Sequence, residues 1–257
     1  MDHRQSSWTN IPAAQKIASH QVHIWRAALD ATALQTEQLQ AFLSADEIAR
    51  ADRFHFEKDR LRYIVARGTL RQILGLYLKS APHALQFDYT HFGKPFLPSE
   101  TAKIGINFNL SHSGDMVLYA ITRGQCVGID LEKINPTIAI EQIAQRFFSP
   151  AEITALHAAP GDQRDQLFFL YWTRKEAILK ATGKGVAFPL EKVNVSQQAN
   201  HGWSPVLLSD DSEKKQQWFT QDLFPDAGYQ AAIAVEKNNC ELFFFSGMSD
   251  LHSLSYL

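Results

Sequence analysis

Along residues 59–78 apolar positions return every three or four residues, and the same spacing recurs along 165–180, so both stretches are predicted as long helices. Short runs of β character lie between them. Val22-His23-Ile24-Trp25 and Val127-Gly128-Ile129-Asp130 alternate, and 116–122 and 229–235 also read as strands. These elements recur in the same order at nearly the same offset, about 105 positions. The clearest echo sets Phe42-Leu43-Ser44-Ala45-Asp46-Glu47-Ile48 against Phe147-Phe148-Ser149-Pro150-Ala151-Glu152-Ile153. Each copy carries the Ser-x-x-Glu capping box that starts a helix, and Pro150 takes the favoured first helical position. The pattern predicts an α/β (α+β) fold of two pseudo-duplicated halves, 20–122 and 125–236, each a small, mainly antiparallel sheet packed with helices. The tail, 237–257, is expected to add one strand at Leu242-Phe243-Phe244-Phe245. A ligand is expected in the cleft between the halves.

Composition narrows the class. The 257 residues are 45% hydrophobic and 20% charged, with 13 Gly and 10 Pro, which excludes disordered, collagenous and disulfide-knot chains. Lys+Arg 25 against Asp+Glu 27 leaves a net charge of -2, so the overall basic excess of a nucleic-acid binder is missing and no nucleic-acid partner is expected. Any charged partner must be recognised locally. Cys126 and Cys240 form neither a CxxC nor a zinc-spaced cluster, which predicts a reduced, cytoplasmic chain. Residues 1–10 lack an apolar signal core, and runs such as 116–121 fall far short of the ~20 residues of a membrane span, so neither export nor insertion is expected.

Several patterns could carry chemistry. Strand alternation along Val127-Gly128-Ile129-Asp130-Leu131-Glu132 sends Asp130 and Glu132 to one face, where two neighbouring carboxylates suit Mg²⁺ or simply face water. Trp172, Glu176 and Lys180 lie at i, i+4 and i+8 on one helix face, either as a functional row or as an exposed Glu-to-Lys pair beside a core tryptophan. The helix then ends in Thr182-Gly183-Lys184-Gly185, a turn that suits a phosphate. In Asn109-Leu110-Ser111-His112-Ser113, adjacent strand residues point to opposite faces, so Ser111 and His112 do not form a nucleophile and its base, and a hydrolase of that kind is rejected. His112 could bind an anion or be satisfied locally. Gly93-Lys94-Pro95 is a turn stiffened to display Lys94. Arg50, Arg53, Arg60, Arg62, Arg67 and Arg71 concentrate positive charge on the first helices. These cations and the acids Asp130, Glu132 and Glu176 could together grip a polyphosphate with its metal.

In that order, Gly93-Lys94-Pro, Asn109-Leu-Ser-His112-Ser, Val127-Gly-Ile-Asp130-Leu-Glu132 and Trp172-Thr-Arg-Lys-Glu176-Ala-Ile-Leu-Lys180 resemble the 4'-phosphopantetheinyl transferases of the surfactin type, over roughly residues 20–235. The resemblance implies Mg²⁺-dependent transfer of the phosphopantetheine arm of coenzyme A to a serine of an apo acyl or peptidyl carrier protein, releasing adenosine 3',5'-bisphosphate. It further implies that Asp130, Glu132 and Glu176 form the metal shell, that Glu176 is also the general base, and that Lys180 stabilises the transferring phosphoryl group. Lys94, Ser111 and His112 match positions contacting coenzyme A, Arg62 resembles the arginine that meets the 3'-phosphate, and Arg50 lies where a second cation is common. Glu47 stands where some relatives have a lysine, which predicts weaker grip on that phosphate. Phe147, Phe148 and the segment after Glu152 are carrier-docking candidates by resemblance, or else core. A monomer is expected. Two other readings are a catalytically silent coenzyme A or nucleotide-binding module and a metal-dependent phosphohydrolase that uses water in place of the serine.

Overall fold

The computed structural model describes residues 8–9, 16–183, 185, 189–197, 202–208 and 217–246. In chain order the elements are β1 (Gln21–Ala28), α1 (Ala33–Gln40), α2 (Ala45–Ala51), α3 (Glu57–Leu78), the short β2 (Asp88–Tyr89) and β3 (Pro95–Phe96), a single turn α4 (Ser99–Ala102), β4 (Ile106–Ser113) and β5 (Met116–Arg123). There follow β6 (Val127–Lys133), α5 (Ile140–Phe147), α6 (Pro150–Ala158), α7 (Gly161–Thr182), β7 (Val193–Asn194), β8 (Ser204–Leu208), β9 (Trp218–Leu223), β10 (Tyr229–Val235) and β11 (Glu241–Phe245).

One sheet runs β11-β1-β5-β4 and another β6-β10-β9-β8-β7. The antiparallel order β1-β5-β4 thus reappears as β6-β10-β9, which is the arrangement the offset of the motifs implies. β11 does not extend the sheet it follows in sequence: it pairs in parallel with β1, Gln21 opposite Glu241.

Four layers result. Trp25, Leu70, Leu74, Tyr119 and Ile121 pack the first sheet against α1 and α3, and Phe148, Phe168, Ile178, Ala232 and Ala234 pack the second against its helices. A third cluster, including Val22, Ile24, Leu118, Ile129 and Ile233, joins the two sheets face to face. β5 and β10 are therefore buried on both faces, so they read as continuous apolar runs and not as alternation. Phe148, 2% exposed, belongs to this core and stacks on Phe168, which removes it as a docking residue.

Both capping boxes form, and each glutamate also works as a buried counter-ion. Glu47 accepts from Arg67 Nε and Arg71 Nε, both at 2.6 Å, while Glu152 Oε2 lies 2.8 Å from Lys175 Nζ. Glu47 is wholly buried, so it presents no charge to a ligand, and Arg67 and Arg71 are likewise withdrawn from the expected cationic grip.

His23 lies beside β11 in the same sheet, against Phe243, Phe245 and Tyr77. Trp25 Nε1 donates to Tyr77 OH at 2.9 Å, so the phenol proton is directed to His23 Nδ1, 2.8 Å away, and the imidazole proton sits on Nε2. Burial lowers the His23 pKa to about 4. A histidine depressed in the fold supports stability above its unfolded pKa and loses that support as pH falls through the folded value. Urea unfolding should therefore show wild-type stability declining between about pH 6.5 and about pH 4, and His23→Phe should flatten that decline.

Candidate active site

β6 is an edge strand of the second sheet, and its Gly128-Asp130-Glu132 face is the one turned away from the intersheet core that Val127, Ile129 and Leu131 fill. α7 crosses that face. A Cβ on Gly128 would lie 2.0 Å from the Ala177 carbonyl oxygen and 2.4 Å from the Ala181 nitrogen, so helix and strand meet backbone to backbone. This close approach brings Glu176 and Lys180 of α7 to Asp130 and Glu132 of β6. Gly128→Ala should force the two apart, lower stability by about 1–3 kcal/mol and reduce activity more steeply than stability. A denaturation curve superimposable on wild type would contradict this packing.

Lys180 Nζ donates to Asp130 Oδ1 at 2.6 Å and to Ser111 Oγ at 2.8 Å, and Ser111 Oγ donates to Asp130 Oδ1 at 3.0 Å. The second Asp130 oxygen, Oδ2, is buried with no hydrogen-bond partner among the described residues. Glu132 receives Ser113 Oγ at 2.9 Å and a hydrogen bond from Trp172. Burial and then the Asp130 charge raise the Glu132 pKa, with those hydrogen bonds and Lys180 opposing. Burial, followed by Asp130, also raises that of Glu176; Lys180 opposes and Glu132 adds to it. The Asp130 charge thus penalises the ionisation of both glutamates, a penalty that a cation relieves. Among the described residues, however, no group of three or more His, Cys, Asp or Glu side chains is assembled to hold a metal ion.

Glu176 and Lys180 border a cavity of about 250 Å³ whose other walls include Phe92, Lys94, Asn109 and Gly183. Lys94 Nζ donates to the Lys180 carbonyl oxygen and, at 3.4 Å, to that of Val127, and burial lowers its pKa. Gly183 ends α7 in the left-handed conformation, φ 68°, as the two-glycine turn predicts; Lys184 lies outside the described residues. A larger cavity, about 520 Å³, lies between α1, α3 and the end of β1 and contains none of the expected site residues among its described walls.

His112 points away from Ser111, toward α3, as strand alternation requires. Crowding of its ring, and then Lys180 and Arg62, lower its pKa, with Asp59 opposing. Arg62 pairs with Asp115, its Nε buried without a partner among the described residues, while Arg50 sits 5.8 Å over the Tyr63 ring and not among the acids. The structure thus gathers Ser111, Asp130, Glu132, Glu176 and Lys180 directly, with Lys94 at the cavity wall and His112 and Arg62 beside them. Ser113, whose hydroxyl flanks His112 and could likewise bind an anion, instead meets Glu132 and the Lys133 amide, and Asn109 joins the site through the period-two run of polar positions along β4.

Carboxylates and ammonium groups thus meet at the join of two like-ordered sheets, beside a cavity. A family model described as the 4'-phosphopantetheinyl transferase superfamily matches residues 126–234, and one described as 4'-phosphopantetheinyl transferase, N-terminal, matches residues 25–123. The 4'-phosphopantetheinyl transferase HetI of Nostoc sp. is 42% identical over 231 residues, 90% of this chain and 94% of its own length. A 4'-phosphopantetheinyl transferase of Bacillus subtilis is 32% identical over 201 residues, 78% of this chain and 85% of its own. This chain belongs to the 4'-phosphopantetheinyl transferase superfamily.

Proposed function

We propose that the protein transfers the 4'-phosphopantetheine arm of coenzyme A to a serine of an apo acyl or peptidyl carrier protein, releasing adenosine 3',5'-bisphosphate. The observation that carries this is the Lys180–Asp130–Ser111 cluster beside Glu132 and Glu176, at the wall of a cavity also bordered by Lys94. Asp130, Glu132 and Glu176 would hold Mg²⁺: their oxygens are hard donors, Asp130 Oδ2 is buried with no partner among the described residues, and both glutamates have their pKa raised by burial and then by the Asp130 charge. Bound there, the cation would neutralise charge on the diphosphate oxygens.

The chain's own residues do the rest. Lys180 supplies positive charge to the phosphoryl group as the diphosphate bond breaks, and Lys94, Ser111, His112, Arg62 and Arg50 bind coenzyme A. Glu176 takes the proton of the carrier serine, directly or through water. We divide the chain at 20–122 and 125–236, supported by the repeated strand order, with β11 returning to the first sheet. The unpaired Cys126 and Cys240 suit a reducing compartment, so we place the protein in the cytoplasm, and with both sheets in one chain we take it to be a monomer.

The test is to follow adenosine 3',5'-bisphosphate in mixtures of protein, coenzyme A and Mg²⁺ with and without an apo carrier. Release only with the carrier is expected. Release without carrier would establish a phosphohydrolase instead, and coenzyme A binding without release under either condition would establish the silent module.

A further inference from the structure

β4 and β6 are edge strands of different sheets, so no backbone ladder sets their register. Side chains of β4 do it instead. The Ile129 amide donates to Asn109 Oδ1 at 2.8 Å, and the Lys133 amide donates to Ser113 Oγ at 3.0 Å. These contacts stand four residues apart on both strands, with the Ser111–Asp130 bond between them. Two fixed points set both the lengthwise position and the angle of one strand against the other. Asn109 is the innermost of the pair and 5% exposed.

We infer that Asn109, with Ser113, is a positioning residue: its carboxamide oxygen holds the Ile129 amide and so fixes β4 against β6, placing Ser111 against Asp130 and Lys180. At ~3.3 Å per residue, the smallest slip that keeps the same side chains facing β6 is ~6.6 Å, which takes Ser111 out of reach of Asp130. The inference rests on the transferase reading of the same site. Because Asn109 also borders the cavity, direct contact with coenzyme A is the rival role, and the readouts must separate the two.

The experiment compares wild type, Asn109→Ala and Asn109→Asp, the last of which keeps an oxygen that accepts the Ile129 amide. Amide hydrogen exchange, coenzyme A affinity by calorimetry and steady-state transfer to an apo carrier are measured on each. In Asn109→Ala the Ile129 amide should exchange about tenfold faster or more, while the amides of β6 that pair with β10 stay protected. Its kcat should fall by about 10- to 100-fold, with coenzyme A affinity within about threefold of wild type. Asn109→Asp should restore slow exchange at Ile129 and most of kcat. Unchanged exchange or unchanged kcat in Asn109→Ala overturns the inference, and so does weakened coenzyme A binding with kcat intact at saturation. If Asn109→Ala does not fold, Ser113→Ala is read by the same measures at Lys133, with the same outcomes deciding. A wild-type protein that transfers nothing would refute the transferase reading instead, leaving the exchange result to judge the seam.

Discussion

Glu176→Gln lowers kcat by about 10²- to 10⁴-fold if the carboxylate takes the serine proton, and the same change stabilises the protein when no metal is present. The first effect is the loss of a proton acceptor, the second the loss of a partly buried charge. Burial raises the Glu176 pKa first, then the Asp130 charge, with Lys180 opposing and Glu132 adding to the rise. An acid whose folded pKa is raised contributes stability below its unfolded pKa, about 4.3, and loses it as pH rises through the folded value. At neutral pH the ionised glutamate is therefore a burden on the metal-free fold, and the amide, which cannot ionise, removes it. Thermal scans in chelator should place Glu176→Gln above wild type at pH 7.5, with the two converging near pH 4. A variant with full activity and intact metal binding would remove the base role, and one destabilised at neutral pH would contradict the crowding of the three acids.

Glu47→Ala should cost about 3–5 kcal/mol of stability, a fall in Tm of roughly 6–20 °C. Its carboxylate accepts from Arg67 and Arg71 at 2.6 Å each and from the Ser44 amide at 3.0 Å, so truncation leaves two buried guanidinium groups without their counter-ion and removes a helix cap. Arg67 also donates to Tyr89 OH at 2.5 Å, on the hairpin that carries Lys94, so activity should decline along with stability. Chemical denaturation measures the first effect. A loss below about 1 kcal/mol would show that the arginines find other partners.

How far the sequence foretold this molecule depends on the range of the interaction. Capping boxes, the α7 face and the shared face of Asp130 and Glu132 follow from contacts within a few residues, and all are present. The order β1-β5-β4 repeated as β6-β10-β9 follows from the offset between motifs. Partners distant in sequence left no local mark. Nothing in Glu241–Phe245 says that it pairs with β1, and nothing in the arginine-rich α3 separates Arg67 and Arg71, which face Glu47, from Arg62, which faces Asp115. The polar period along Asn109, Ser111 and Ser113 was visible, but its role depends on β6 lying alongside. The acids were legible as a set, whereas Lys180 seated on Asp130 was not.

The account turns on one reaction, and intact mass spectrometry of the acceptor tests it most directly. Apo carrier protein is incubated with this protein, coenzyme A and Mg²⁺, alongside a chelated reaction, a Glu176→Ala reaction and a carrier whose serine is alanine. The account predicts a gain of one phosphopantetheine on the carrier in the first reaction and none in the other three. Carriers of the fatty-acid, polyketide and peptide-synthetase types all remaining unmodified, while coenzyme A still binds, would contradict it.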